Sequence, residues 1–197
     1  MNNSLRLVLA SGSPRRSDLL LAHGYSFDVI PADVEESSDP TLSPAELVRH
    51  NALLKARAVA SLYPDRIILA ADTVVSFQGR VFGKPKDMDE AVRMLTELNN
   101  QEHEVYSGVC LASESPTQEI VFVETTKVRF KNLSSDERLT YLNRIGPLDK
   151  AGAYAAQDDQ NEIISSISGS LTNVIGLPME SLQTALQHFA RLAPKML

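Results

Sequence analysis

The residues with the clearest capacity for chemistry lie near the start of the chain. Ser11-Gly12-Ser13-Pro14-Arg15-Arg16 follows an apolar run, Leu5 to Ala10, and leads into Ser17-Asp18-Leu19-Leu20-Leu21. A strand that stops at small hydroxyl residues and restarts with Pro at a helix's first position presents backbone N–H groups to an anion. Arg15 and Arg16 in that first turn oppose the helix dipole, which favours acidic residues there, so an anionic ligand accounts for them. An ordinary strand-to-helix turn with solvated arginines accounts for the same residues equally well. Asp72 is the second candidate, because it follows the apolar run Ile67 to Ala71 and precedes Thr73. A carboxylate at the end of a central strand sits where α/β proteins place reactive groups, as a general base or a metal ligand. The plainer alternative is that Asp72 and Thr73 satisfy backbone groups at a strand interruption. Gly83-Lys84-Pro85 holds a cation in a rigid turn, Lys55 lies on a predicted helix, and Glu35-Glu36 stand in an acidic loop. Taken singly, each of these also fits a solvated surface.

Familiar sites are excluded. The sequence contains no Gly-x-x-x-x-Gly-Lys-Ser/Thr loop, no Gly-x-Gly-x-x-Gly and no Gly-x-Ser-x-Gly elbow. Cys110 stands between Val109 and Leu111 with Pro116 six positions on, so it lacks a cysteine-phosphatase arginine and reads as core. His23, His50, His103 and His188 have no metal-ligand spacing and read as surface residues. A formal charge of −6 over 197 residues argues against a general nucleic-acid binder, which needs a basic face. No segment approaches a membrane span, so no membrane partner is expected. With no leader pattern and a single cysteine, a cytoplasmic location is the expectation.

These residues need elements to position them, and the chain supplies alternating strands and helices with 43% hydrophobic residues, enough for one well-buried α/β domain. Strands are predicted over Leu5–Ala10, Phe27–Pro31 and the continuous apolar run Ile67–Ala71, the last buried on both faces. Val74–Phe77 and Val81–Phe82 flank Gln78-Gly79-Arg80 as a hairpin, and Val105–Ala112 and Ile120–Phe130 read as long antiparallel strands. Helices are predicted from Pro14 to His23, from the capping box Ser43/Glu46 to about Leu62, from Asp87/Glu90 to Leu98, from Ser134/Glu137 to Arg144, and from Pro178 onward.

Taken together, Ser11-Gly12-Ser13-Pro14-Arg15-Arg16, Glu36, Lys55-Ala56, Ala71-Asp72-Thr73, Lys84-Pro85 and Gly146-Pro147-Leu148-Asp149-Lys150-Ala151-Gly152-Ala153-Tyr154 occur in the order seen in one family. The ensemble resembles the Maf family of nucleoside triphosphate pyrophosphatases from Leu7 to about Leu182. Departures are mild: Leu54 precedes Lys55, Gly83 precedes Lys84, and Ala155-Ala156-Gln157-Asp158-Asp159-Gln160 lacks glycines common after the Gln. The resemblance implies a single domain over 1–197 in the α/β class, with a mixed twisted sheet flanked by helices in an ITPase-like, two-lobed architecture with a central cleft.

The resemblance further implies hydrolysis between the α- and β-phosphates of a nucleoside triphosphate, with a divalent cation, Mg²⁺ or Mn²⁺. It assigns Ser13, Arg16, Lys55 and Lys84 to the phosphates, Glu36 and Asp72 to the metal, and proton acceptance to Asp72, directly or through the metal. In the branch that cleaves dTTP and UTP the specificity positions carry Arg, Thr and Gln, which Arg15, Thr73 and Gln157 match; in the 7-methyl-GTP branch Trp replaces the first arginine. A neutral Gln amide can both donate to and accept from the O4 and N3 edge of uracil or thymine. Modified pyrimidine nucleotides fit the same reading. The competing expectations are a 7-methyl-GTP pyrophosphatase and a non-catalytic nucleotide-binding regulator of cell division. A homodimer is the assembly the resemblance suggests.

Overall fold

Parity along the first strands decides the layering of the fold. In the computed structural model, which describes residues 7–115, 117–158 and 162–192, β1 (Leu7–Leu9) pairs in parallel with both β2 (Phe27–Val29) and β3 (Ile67–Phe77). Leu5 and Arg6, at the start of the first expected strand, and Asp159 and Gln160, at the end of the quoted stretch that begins at Ala155, lie outside the described residues. The sheet has seven strands in the order β2-β1-β3-β5-β6-β7, where β5 is Glu102–Glu114, β6 is Thr117–Phe130 and β7 is Ile164–Ser168. Off this path, β4 (Arg80–Phe82) pairs antiparallel with the end of β3, as the predicted hairpin requires. β7 pairs antiparallel with β6, so the sheet is mixed.

The helices follow their capping signals. They are α1 (Pro14–Ala22), α2 (Pro44–Ala60), α3 (Met88–Leu98), α4 (Ser135–Ile145), α5 (Leu171–Ile175) and α6 (Met179–Leu192). Both predicted capping boxes form, Ser43 with Glu46 and Ser134 with Glu137, and Asp87 caps α3 by accepting from the Glu90 N–H. No helix among the described residues is long and apolar enough to cross a membrane.

The chain divides into two units. One holds the residues up to Asp72, Ser107–Glu124 and those from Gly176 on; the other holds Thr73–Tyr106 and Thr125–Ile175. In the first unit, odd-numbered strand residues Leu7, Leu9, Ile67, Leu69, Ala71, Val109 and Leu111 pack with α1 and α6. Their even-numbered neighbours Val8, Ala10, Ile68, Ala70, Cys110 and Ala112 turn to the opposite face and meet Ala52, Ala56, Val59 and Ala60 of α2. Small residues on both sides let α2 lie close to the sheet. A Cβ placed on Gly108 of β5 would stand 2.2 Å from the Val48 carbonyl oxygen, so only glycine fits there. The second unit has its own core, built from Val75, Phe82, Val105, Val128 and Phe130 with Leu95 and Leu98 of α3 and Tyr141 and Leu142 of α4.

Two expectations are corrected, and one strand was not foreseen. Ile67–Ala71 and Val74–Phe77 are one strand, so Asp72 and Thr73 stand mid-strand and neither ends nor interrupts it. The backbone pairing that a polar residue was expected to break is carried through them, because strand hydrogen bonds do not depend on side-chain polarity. β7 was not anticipated: Ile164-Ser165-Ser166-Ile167-Ser168 carries too few apolar residues for a buried strand and forms at the end of the strand order, with both Ser165 and Ser166 exposed. His103 is buried at 2% exposure, whereas His23, His50 and His188 are exposed as expected.

Candidate functional site

Parity explains how Asp72 reaches its partners. It continues the even-numbered series Ile68-Ala70-Asp72, and that series faces α2. On α2 the buried stripe reads Leu47, Val48, Asn51, Ala52, Lys55, Ala56, Val59 and Ala60, the spacing of one helix face with two polar residues set into it. A fully buried Leu or Val contributes about 1.5–3 kcal/mol, so polar residues on such a stripe forgo that gain and need partners. They have them. Lys55 Nζ donates to Asp72 Oδ1 at 2.9 Å and to Glu36 Oε2 at 3.0 Å, while Asn51 Nδ2 donates to Asp72 Oδ2 at 3.3 Å. Lys55 and Asp72 are 7% and 8% exposed, and the Glu36 side chain is about half exposed at 49%.

Arg16 completes the charge balance. Its Nη1 donates to Ser11 Oγ at 2.9 Å and its Nε to the Gly176 carbonyl at 2.9 Å, fixing the guanidinium at the start of α1. Ser13 occupies the N-cap with extended backbone but makes no side-chain capping bond, and no acidic residue stands in the first turn. Apart from Pro14 at the first helical position, no side-chain cap and no acidic first-turn residue serves this helix start, as an anion-binding turn requires. Burial lowers the Arg16 pKa, and Asp72 and Glu36 oppose that effect, with Arg15 adding to it. Burial works to raise the Asp72 pKa, but Lys55, through charge and hydrogen bond, and Arg16 outweigh it and hold the carboxyl below its ordinary value. Asp72 is therefore ionised at neutral pH.

Glu36 and Asp72 fit a hard divalent cation by the chemistry of their donors. Both place a carboxylate oxygen within 3.0 Å of one ammonium nitrogen, so both reach a single cationic centre. No group of three or more His, Cys, Asp or Glu residues able to hold a metal occurs among the described residues. Two carboxylates are what Mg²⁺ commonly takes from protein when phosphates and water supply the rest.

Of the residues expected from sequence, Arg16, Glu36, Lys55 and Asp72 are brought together in the first unit. Ser13 and Arg15, half-buried, stand beside Arg16 at the start of α1. Thr73, Lys84 and Gln157 belong to the second unit. Thr73 is half-buried and shares the odd-numbered face of β3 with Val75. The exposed Lys84 follows Gly83, whose carbonyl accepts the Gly152 N–H at 3.0 Å. Gly152 has φ +67°, and a Cβ there would stand 2.8 Å from the Val75 side chain, so the Ala151-Gly152-Ala153 stretch admits only glycine at its centre.

Gln157 is exposed on the short turn Ala156–Asp158, and the residues just before it are anchored firmly. Tyr141 Oη accepts the Ala155 N–H at 3.1 Å, and Tyr154 Oη meets His103 Nε2 at 3.0 Å. Lys150, in the same quoted stretch, is used internally, donating to the Gly146 carbonyl and to Asp149. Sequence reading quoted Ser11 within the opening motif without giving it a role, and missed Asn51, His103 and Tyr141. A signal for Asn51 was present: it stands four residues before Lys55 on an otherwise apolar helix face.

The sheet and the carboxylate–lysine–arginine cluster define a chain of a known class. A family profile described as Maf-like protein matches residues 6–189, and the chain belongs to the Maf family. Among its relatives, a dTTP/UTP pyrophosphatase of Citrifermentans bemidjiense is 44% identical, covering 95% of this chain and 96% of that protein. Proteins of the same name from Acetivibrio thermocellus and Bacillus cereus are each 41% identical, covering 94% and 93% of this chain and 96% and 95% of the relatives. In fold, the chain is similar to the Ham1 protein of Staphylococcus aureus, with a TM-score of 0.53 at 19% identity over 93% of this chain and 98% of that one.

Proposed function

We propose that the chain is a nucleoside triphosphate pyrophosphatase acting on dTTP and UTP, releasing the nucleoside monophosphate and pyrophosphate with a divalent cation. The observation that carries the reading is Lys55 held between Glu36 and Asp72 beside Arg16, in a chain whose relatives are named for that activity. Glu36 and Asp72 would hold Mg²⁺ or Mn²⁺, which when bound offsets phosphate charge and polarises the scissile phosphoryl group. Arg16 and Lys55 are cations able to stabilise charge that develops on phosphate oxygens, with Ser13 and Lys84 in supporting roles. Ionised Asp72 accepts the proton of the attacking water at a carboxylate oxygen. Arg15, Thr73 and Gln157 read the base; the Gln157 amide can pair with both N3–H and O4 of a pyrimidine. A cytoplasmic location and a homodimer belong to the same reading, the first supported by the single, buried Cys110 of a sequence that cannot form an internal disulfide.

A panel of nucleoside triphosphates with Mg²⁺ or Mn²⁺, assayed for pyrophosphate against orthophosphate, tests the reading. UTP and dTTP are expected to give pyrophosphate fastest. Faster turnover of 7-methyl-GTP would overturn the substrate, orthophosphate as product would overturn the cleavage position, and tight binding without turnover would overturn the enzyme. Sedimentation velocity tests the homodimer.

A further inference from the structure

Asn51 stands 3% exposed on the α2 face that carries Lys55, and every hydrogen-bonding group of its side chain is engaged. Oδ1 accepts the Ser37 N–H at 2.8 Å, and Nδ2 donates to the Ser37 carbonyl at 3.1 Å and to Asp72 Oδ2 at 3.3 Å. The peptide N–H can be received only by an oxygen, so the network fixes the orientation of the amide. One carboxamide thus grips both backbone groups of the residue next to Glu36 and, with its remaining hydrogen, the second oxygen of Asp72. One turn further along α2, Lys55 links the same two carboxylates through their charges, at Glu36 Oε2 and Asp72 Oδ1.

We propose that Asn51 is a positioning residue that sets Glu36 in register with Asp72, so that the two carboxylates are presented together. The inference rests on the reading of these carboxylates as the cation-holding pair. Lys55 alone cannot impose that register, because its ammonium sits on a four-carbon stem with many rotamers. Asn51 acts over a short stem, on backbone at one end and on a buried carboxylate at the other. Its two rows of contact fix the direction of the loop as well as its distance. An apolar residue on that stripe would pack against the small side chains of the sheet and leave the loop backbone at 37 and Asp72 Oδ2 without this partner.

The test compares wild type with Asn51→Leu, which keeps the branching at Cγ and suits the apolar stripe, and with Asn51→Asp, which keeps the acceptor for the Ser37 N–H but loses both donors. Four quantities are read: kcat and KM for UTP, the half-saturating Mn²⁺ concentration, and amide hydrogen exchange at Ser37 against Leu7–Leu9 of β1. For Asn51→Leu, kcat is expected to fall 10- to 100-fold with KM within threefold. Half-saturating Mn²⁺ is expected to rise about tenfold, and Ser37 exchange to accelerate at least tenfold while β1 stays protected. Asn51→Asp is expected to keep part of the Ser37 protection and still lose kcat. The proposal is overturned if Asn51→Leu keeps kcat and Mn²⁺ dependence within twofold, or if β1 loses protection as much as Ser37 does in both variants. Wild-type protein that releases no pyrophosphate from any nucleotide would overturn the functional reading instead; the Ser37 exchange then still decides whether Asn51 holds the loop.

Discussion

Each unit of the molecule has a buried polar cluster, and the two clusters are built by opposite means. In the first, Lys55 and Asp72 are buried as charges, offset by Glu36 and Arg16, with Asn51 as neutral bridge. In the second, the cluster is uncharged; Lys150, at 9% exposure, is not part of it and pairs with Asp149. His103 and Tyr154 share a hydrogen bond and pack edge-to-face with Phe130, at ring separations of 4.7 Å for His103–Phe130 and 4.9 Å for Phe130–Tyr154. Burial holds His103 neutral, with its pKa lowered to about 4. Buried charges that balance one another can exchange partners when a charged ligand arrives, whereas a neutral aromatic cluster has nothing to exchange and serves to hold the chain leading to Gln157.

The sharpest way to break this comparison is to neutralise the first cluster. Asp72→Asn is expected to lower pyrophosphate release by about 10²- to 10⁴-fold, with circular dichroism unchanged, because Lys55 keeps Glu36 as partner. Substantial residual turnover would remove Asp72 from the chemistry. Next in size is Gly108→Ala. The added methyl would press on the backbone of α2 at Val48, and a cost of about 3 kcal/mol, at the upper end for overpacking, is expected in urea denaturation. A variant as stable as wild type would mean that α2 can withdraw from the sheet freely.

The second cluster is tested by pH. His103 has a folded pKa of about 4, below its ordinary 6.5, so between these values the unfolded chain takes up a proton that the folded chain refuses. Its contribution is present in full above about pH 6.5 and is lost as pH falls toward 4, about 3 kcal/mol in all. His103→Gln should therefore show a smaller loss of urea stability between pH 7 and pH 5 than wild type, and equal losses would place the titration elsewhere. The smallest effect is Tyr154→Phe, which removes one buried hydrogen bond and is expected to cost about 1–2 kcal/mol in thermal denaturation. No change would mean that the His103–Tyr154 bond contributes nothing net.

Legibility in the sequence followed the range of each interaction. The capping boxes at Ser43/Glu46 and Ser134/Glu137 join residues three apart, and both formed as read. Arg16, Glu36, Lys55 and Asp72 were named from motif order, and the fold gathers them. Asp72 was nevertheless misplaced at a strand end, since the change from apolar to polar side chains gives no information on where backbone pairing stops. His103 was read as surface because its partners, Phe130 and Tyr154, lie 27 and 51 residues away.

What the sequence determined by itself is the inventory: which side chains carry charge, where helices start, and which family the order of motifs belongs to. These depend on residue type and near neighbours, so they survive without a structure. Only the tertiary structure decided the pairings. The even parity of Ile68, Ala70 and Asp72 turns the carboxylate toward α2, and the absence of a side chain at Gly108 lets α2 come near enough. Asn51 and Lys55 then reach it from one helix face. The physical reason is that a buried charge is tolerable only where distant parts of the chain supply its partners together, and that condition belongs to the packed fold rather than to any segment of it.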